Sequence, residues 1–497
     1  MELQFGSKEI PCLRRLGCQV LYQEQTAEVR LDDSMPPVGK VLGAWGQVLL
    51  RGKEWRNGSV QVSGGVMAWV LYLPEEGGAC QSVEAWLPFQ WKVDIPATQR
   101  DGTVIAGALL RSVDGRSLSS RKLMVRANVG LKMQMTVPDQ VQVFVPEELP
   151  EHIQLHKEKS TLQLPVEAGE KPFVIDEQPE FPASCPKPEK LMYYCLRPEL
   201  LDKKVMADKV VFRGAGILHT VYLGQDGRVY TWDFEMPFAQ YSDLTGQYEE
   251  DAVTSISLAV TSLEVTLGDN GKLLVNAGMT GQYVIYHCPG LEWVRDGYST
   301  QYRAEPIYQQ VELYAVSQLQ SQSLPCKAKI CADTIQVVDA AFYPEHPALI
   351  RTDTGMCAEL CGRFQMLHYN RDGELEIAGA DWNGDNLEPE NNESRLEADV
   401  MVSGSVQTSP EGEDTGVQAD LLVETFCLLP QDLQMISGFV LTEKEQEDKP
   451  SLILRRAGNE TLWDMAKATG STVQQICSAN ALEGDPQPGK MLIIPVL

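Results

Sequence analysis

Six histidines and twelve cysteines are the side chains best suited to nucleophilic or metal chemistry in this 497-residue sequence. Their spacing decides what they could do. No His-Glu-x-x-His run offers two imidazoles one helical turn apart, and no Gly-x-Ser-x-Gly turn presents a serine nucleophile. Cys326 and Cys331, Cys357 and Cys361, with His346 and His368 close by in sequence, form the densest set of soft ligands. Four such ligands would suit tetrahedral zinc. The gaps are wider than the tight two-residue spacing of structural zinc sites, however, and cysteines alternating along strands are ordinarily buried as small hydrophobes. Asp381-x-Asn383-x-Asp385 opens like a calcium loop, but Asn386 stands where that loop needs glycine and Asn392 where it needs glutamate. The sequence therefore predicts no catalytic residues, no metal site and no cofactor, which makes it a non-enzymatic chain.

Charge narrows the partners. Lys and Arg total 42 against 69 Asp and Glu, a formal net charge of −27. Residues 371–450 alone hold 20 acidic and four basic side chains. A phosphate-backbone binder needs a basic face, and an anionic membrane surface attracts one too, so neither is an expected partner. No run approaches 18 apolar residues, so no transmembrane segment is expected. The opening MELQFGSKEIPCLRRLG lacks the apolar core of a signal peptide, and the cysteines are scattered rather than framed. Both features lead to a cytoplasmic expectation.

The elements that would position any site are repeated strands. Gly64, Tyr72, Leu73 and Gly77 recur as Gly214, Tyr222, Leu223 and Gly227, each 150 positions on. Leu123, Val125 and Ala127 recur as Leu273, Val275 and Ala277 at the same offset. A constant offset at two distant places marks a duplicated module. A third, eroded copy is read in 359–376 and around Val417. WVLYL and HTVYL are β-branched and aromatic runs closed by the turn signals PEEGG and GQDG. A proline lacks the N–H a ladder needs, so Pro88-Phe89 and Pro237-Phe238 are expected to end the next strand. The prediction is a mainly β chain of tandem antiparallel, sandwich-like modules. The first occupies 1–150. An entry segment and the second occupy 151–320, and a degenerate acidic third occupies 321–442. A linker over 443–450 leads to a different unit over 451–497.

That last unit reads β-α-α-β. Thr461 is placed to cap LWDMAKAT, Gly470 to end it, and Thr472 to cap VQQICSAN. With QPGKMLIIP at its end, it resembles a LysM domain. The resemblance implies a shallow groove for N-acetylglucosamine polymers, formed by the loop before the first helix and the loop after the second. Here that groove would involve Gly458, Asn459, Glu460, Thr461, Leu462, Asn480, Leu482 and Pro488. The usual Gly-Asp-Thr-Leu-Trp is extended by one residue, with no Asp after Gly458.

The tandem modules resemble SPOCS domains, and their order before one C-terminal LysM domain resembles the SipL family of clostridial spore-morphogenesis proteins. That resemblance implies a scaffold at the forespore surface, in the mother-cell cytoplasm and spore coat. Its LysM domain would dock a coat-basement ATPase and other coat proteins. The other expectation is a protein that binds peptidoglycan or a chitin-like glycan of the cell wall or spore cortex.

Overall fold

The computed structural model describes residues 1–56, 58–95, 102–146, 149–160, 162–249, 251–268, 271–352, 355–388, 395–412, 414–444 and 450–496. Most of the expected linker and Asn392 of the calcium-like run lie outside the described residues. Alternating burial along almost every segment produces strands. In chain order they begin with β1 (Glu2–Gln4), β2 (Gly6–Arg30), β3 (Val38–Arg56), β4 (Ser59–Pro74), β5 (Gln81–Asp94), β6 (Thr103–Ser119) and β7 (Lys122–Val145). Next come β8 (Ile153–Lys159), β9 (Leu164–Glu177), β10 (Pro188–Gly224), β11 (Val229–Tyr248), β12 (Val253–Leu267), β13 (Leu273–His287) and β14 (Glu292–Ser299). Then follow β15 (Tyr302–Ile330), β16 (Gln336–Pro344), β17 (Ala348–Thr352), β18 (Gly355–Glu359), β19 (Cys361–Tyr369), β20 (Leu375–Asn383), β21 (Arg395–Glu411) and β22 (Asp414–Glu443). The chain closes with β23 (Leu452–Arg456), α1 (Leu462–Thr469), α2 (Val473–Asn480) and β24 (Met491–Pro495). The protein is mainly β, and the two helices among the described residues lie near its C-terminus.

One arrangement of two antiparallel sheets occurs three times. The first copy pairs β2-β7-β6 and β3-β4-β5, and the third pairs β15-β22-β21 and β16-β19-β20. The second pairs β9-β13-β12, and its other sheet is β10 with β11. The long β10 supplies two limbs that meet at Ala207, whose φ is 53°. A Cβ on Gly214 would overlap the carbonyl of Glu199, just as one on Gly64 would overlap that of Leu49. The limbs of β10 therefore lie side by side as β3 and β4 do. Register carries the 150-residue offset into space: Ala27 faces Val125, and Glu177 faces Val275.

The repeated glycines have two distinct causes. Gly77, Gly227 and Gly373 close the equivalent hairpins with φ of 80°, 79° and 76°, a left-handed backbone that side chains resist. Gly64 and Gly214 lie under aromatic rings; a Cβ there would meet Phe89 Cζ at 2.7 Å and Phe238 Cζ at 2.9 Å. Gly362 lies under Phe342 in the same way, at 2.5 Å.

The prolines of the Pro-Phe pairs do not end their strands, contrary to the sequence expectation. Pro88 pairs with Gly65 and Pro237 with Ala215, well inside β5 and β11. Both strands lie at sheet edges, where a missing N–H leaves no ladder bond unmade.

The three copies close into a ring. Lys132 on β7 donates to Ala398 O at 2.8 Å and pairs with Asp399 on β21. Gln282, 150 positions on in β13, donates to Ala106 O at 2.7 Å and accepts from Ala106 N at 2.9 Å on β6. Glu424 on β22 accepts from Ser255 Oγ at 3.1 Å on β12 and pairs with Lys203. Copy one thus grips copy three, copy three grips copy two, and copy two grips copy one. Stacked Trp45 and Tyr193, 4.7 Å apart, and Trp69 against Tyr194, also 4.7 Å, seal the first two copies. The N-terminus joins the third copy directly: β1 pairs with β22, and Met1 N donates to Leu441 O at 2.8 Å.

Candidate functional site

Apolar spacing and caps fix the C-terminal unit locally. Thr461 is extended, with φ −76° and ψ 162°, and its hydroxyl accepts from Asp464 N while Asp464 returns a bond to Thr461 N. Hydrogen bonds donated by the Thr461 hydroxyl at 2.8 Å and its backbone N–H at 3.1 Å hold the Asp464 carboxyl below its usual range. Gly470, at φ 72°, ends α1 and Thr472 caps α2. The helices bury Leu462, Met465, Ala466 and Ile476 against Leu492 and Ile494 of β24, which pairs antiparallel with β23.

The two loops of the expected groove are stitched together. Gly489 N donates to Ala457 O at 2.7 Å, and Ala457 N to Lys490 O at 2.8 Å. Asp485 Oδ1 accepts from Leu462 N at 2.8 Å, so the second loop caps the first helix. Sequence reasoning missed Asp485; its signal was a carboxylate in the loop facing a helix N-terminus. Of the expected groove residues, Gly458, Asn459, Thr461 and Pro488 are exposed there, while Glu460 and Leu482 are half-buried. Glu460 stands directly before the N-cap and is held by Arg455 Nη2 at 2.6 and 2.8 Å. Leu462 is buried in the core. The Asn480 amide is consumed by the fold: it donates to Ile476 O at 2.8 Å and Ile493 O at 2.6 Å, and accepts from Ile493 N at 2.7 Å.

The opposite face of α1 is anchored to the β core. Asp296 on β14 accepts from Trp463 Nε1 at 2.8 Å and from Lys467 Nζ at 2.7 and 2.8 Å. Tyr298 donates to Ser471 O at 2.8 Å and packs edge-on against Trp463, with centroids 5.0 Å apart. His156 on β8 also packs against that indole, with centroids 5.2 Å apart. Partial burial works against ionisation of Asp296, but the bonds from Lys467, Trp463 and Gly297 outweigh it and hold the carboxyl below its usual range. Burial raises the Tyr298 phenol to about 12. The groove loops stay exposed because the anchoring uses Trp463 and Lys467 instead. Asp296→Ala should remove about 2 kcal/mol of charge-assisted bonding. The LysM amides should then tumble faster than the core by 15N relaxation; unchanged relaxation would refute the anchor.

The cysteines and histidines of the zinc-like set are dispersed. Cys326 and Cys357 are buried, Cys331 is exposed, and Cys361 begins β19. His346 lies against Gly130 O at 3.2 Å in the first copy, where burial lowers its pKa to about 4. His368 meets Thr334 Oγ1 at 3.2 Å. Among the described residues, no three His, Cys, Asp or Glu side chains are grouped to hold a metal ion. All twelve cysteines are free thiols. Burial raises the pKa of Cys12, Cys18, Cys80, Cys195 and Cys326, the reverse of what a nucleophile requires. No described helix is long and apolar enough to cross a membrane.

Comparison with curated proteins and with solved structures gives no match. Residues 458–495 match the family model of the LysM domain. The stitched loop pair, the two capped helices and the paired terminal strands are therefore those of a LysM domain, carried at the C-terminal end of a mainly β chain.

Proposed function

We propose that this protein is a non-enzymatic scaffold in endospore coat assembly, whose β ring holds a LysM domain in fixed orientation for docking. The single observation carrying the scaffold reading is the anchor: Asp296 and Tyr298 fix α1 while leaving the groove loops exposed. A linker-tethered sugar-binding module would need no such seat. Thiols whose pKa values burial raises, and a zinc-like Cys/His set that the fold keeps apart, support a role without catalysis. The finer assignment to the SPOCS and SipL-like group is supported by the threefold recurrence of one sheet pair before a single LysM domain. On that assignment the partners are a coat-basement ATPase and other coat proteins, and the place is the forespore surface in the mother-cell cytoplasm.

A second reading is favoured by the LysM match itself, because the family suggests binding of peptidoglycan or another N-acetylglucosamine polymer. One experiment separates them. The full chain and a chain ending at Pro450 are offered sporulating mother-cell lysate in one arm and insoluble peptidoglycan in the other. Capture of the coat-basement ATPase by the full chain alone, without sedimentation on the glycan, is the result expected of the scaffold. Sedimentation on peptidoglycan without ATPase capture would replace it with the glycan-binding reading.

A further inference from the structure

The three copies line a cavity of about 650 Å³, partly open to solvent and within the range of natural small-molecule sites. Equivalent strands of each copy wall it: Leu110 of the first, Leu258 and Val260 of the second, Val400 and Val402 of the third. These five side chains are apolar. The charged groups reaching it are unequal in how well they are paired. Asp339 is ion-paired with His219 Nε2 at 3.0 Å and accepts from the Tyr193 hydroxyl. Asp399 has Lys132, and Glu424 has Lys203 and Ser255. Every one of these carboxylates therefore meets a cation.

Arg197, which also lines the cavity, is less well served. Its Nη2 is 3.5 Å from Asp233 Oδ2, a long contact, and Asp233 is already held by His219 Nδ1 at 2.5 Å. Its Nε–H is buried with no acceptor. The side chain as a whole keeps 20% of its surface exposed, and a carboxylate or similar anion in the cavity would complete the pairing of the guanidinium there. We propose that the central cavity binds an amphiphile with an aliphatic chain and an anionic head. The chain lies along the apolar walls contributed by all three copies. The head meets Arg197. This site is separate from the LysM groove and does not depend on how that groove is used.

The test is calorimetric titration of the full chain with dodecanoate, dodecanol and dodecylamine, each below its aggregation concentration. One saturable site for dodecanoate is expected, with the amine bound at least tenfold more weakly. Arg197→Gln should weaken dodecanoate at least tenfold and leave dodecanol within about twofold. Ala108→Phe, which fills the cavity from the first copy, should remove binding of all three; Leu258→Trp fills it from the second should the first variant fail to fold. A thermal melt of each variant establishes folding. Absence of a saturable site for dodecanoate, equal affinity in Arg197→Gln, or tighter binding of the amine would each overturn the proposal.

Discussion

Replacing Asp339 by alanine should cost about 3–5 kcal/mol, because it strands two buried groups at the seam between the second and third copies. Asp339 lies on β16 of the third copy, almost wholly buried. It accepts from the Tyr193 hydroxyl and is paired with His219 Nε2 at 3.0 Å, both from the second copy. Without it, an imidazolium facing Asp233 loses half its compensation, and the phenol loses its acceptor. Burial disfavours the charge on His219, but Asp339 and Asp233 more than reverse this and raise its pKa well above the ordinary value. Burial likewise opposes ionisation of Asp339, and His219 lowers its pKa regardless. The signs give the pH window. The contribution of His219 is complete below its unfolded value, about 6.5, and is lost as pH rises through the higher folded value. That of Asp339 is complete above about 4 and is lost as pH falls through its lower folded value. Urea unfolding should therefore show the largest loss in Asp339→Ala between about pH 4 and 6.5. A His219→Gln, Asp339→Ala cycle should show strong coupling there. A loss below about 1 kcal/mol at pH 6, or one that does not fade at alkaline pH, would refute the clamp.

This seam is also where sequence reasoning falls short. The duplication is visible because turn geometry and ring-on-glycine packing demand the same residue at Gly77 and Gly227, and at Gly64 and Gly214. The likeness fades in the third copy because its contacts change. Tyr72 and Tyr222 are fully buried, whereas the same hairpin position in the third copy is His368, buried with its Nδ1 against Thr334 Oγ1 at 3.2 Å. The ring contacts leave no repeated letter at all. Lys132, Gln282 and Glu424 do equivalent work as a cation, an amide and an anion, each matched to a different neighbour. Similarity of residue type cannot reveal a position whose chemistry is set by the copy opposite. The Pro-Phe pairs show the converse error: the missing N–H was read correctly, but which edge of the strand it faces is a property of the sheet.

The LysM domain was legible because its determinants are local: Thr461 and Thr472 cap, Gly470 terminates, and apolar residues recur at helical spacing. Its anchor was not, since Trp463 finds Asp296 from 167 positions away. Which of the expected groove side chains the fold itself consumes was not legible, and Asn480 shows why. A polar residue at the end of α2, beside an expected groove, reads as a ligand contact. In the fold its amide instead ties the last turn of α2 to both backbone groups of Ile493 on β24. Asn480→Ala removes three bonds and strands the Ile493 N–H and C=O, a loss of about 2–3 kcal/mol. A domain this small has little stability beyond that. Hydrogen exchange should therefore show amide protection across 462–480 collapsing, with the three β copies unchanged. Capture of partner or glycan should fall with it. Asn459→Ala, on the exposed loop, should leave protection intact and bear on capture alone. If Asn480→Ala kept its protection and still lost capture, the amide would be a binding group and not a clamp, and the groove would extend to the end of α2.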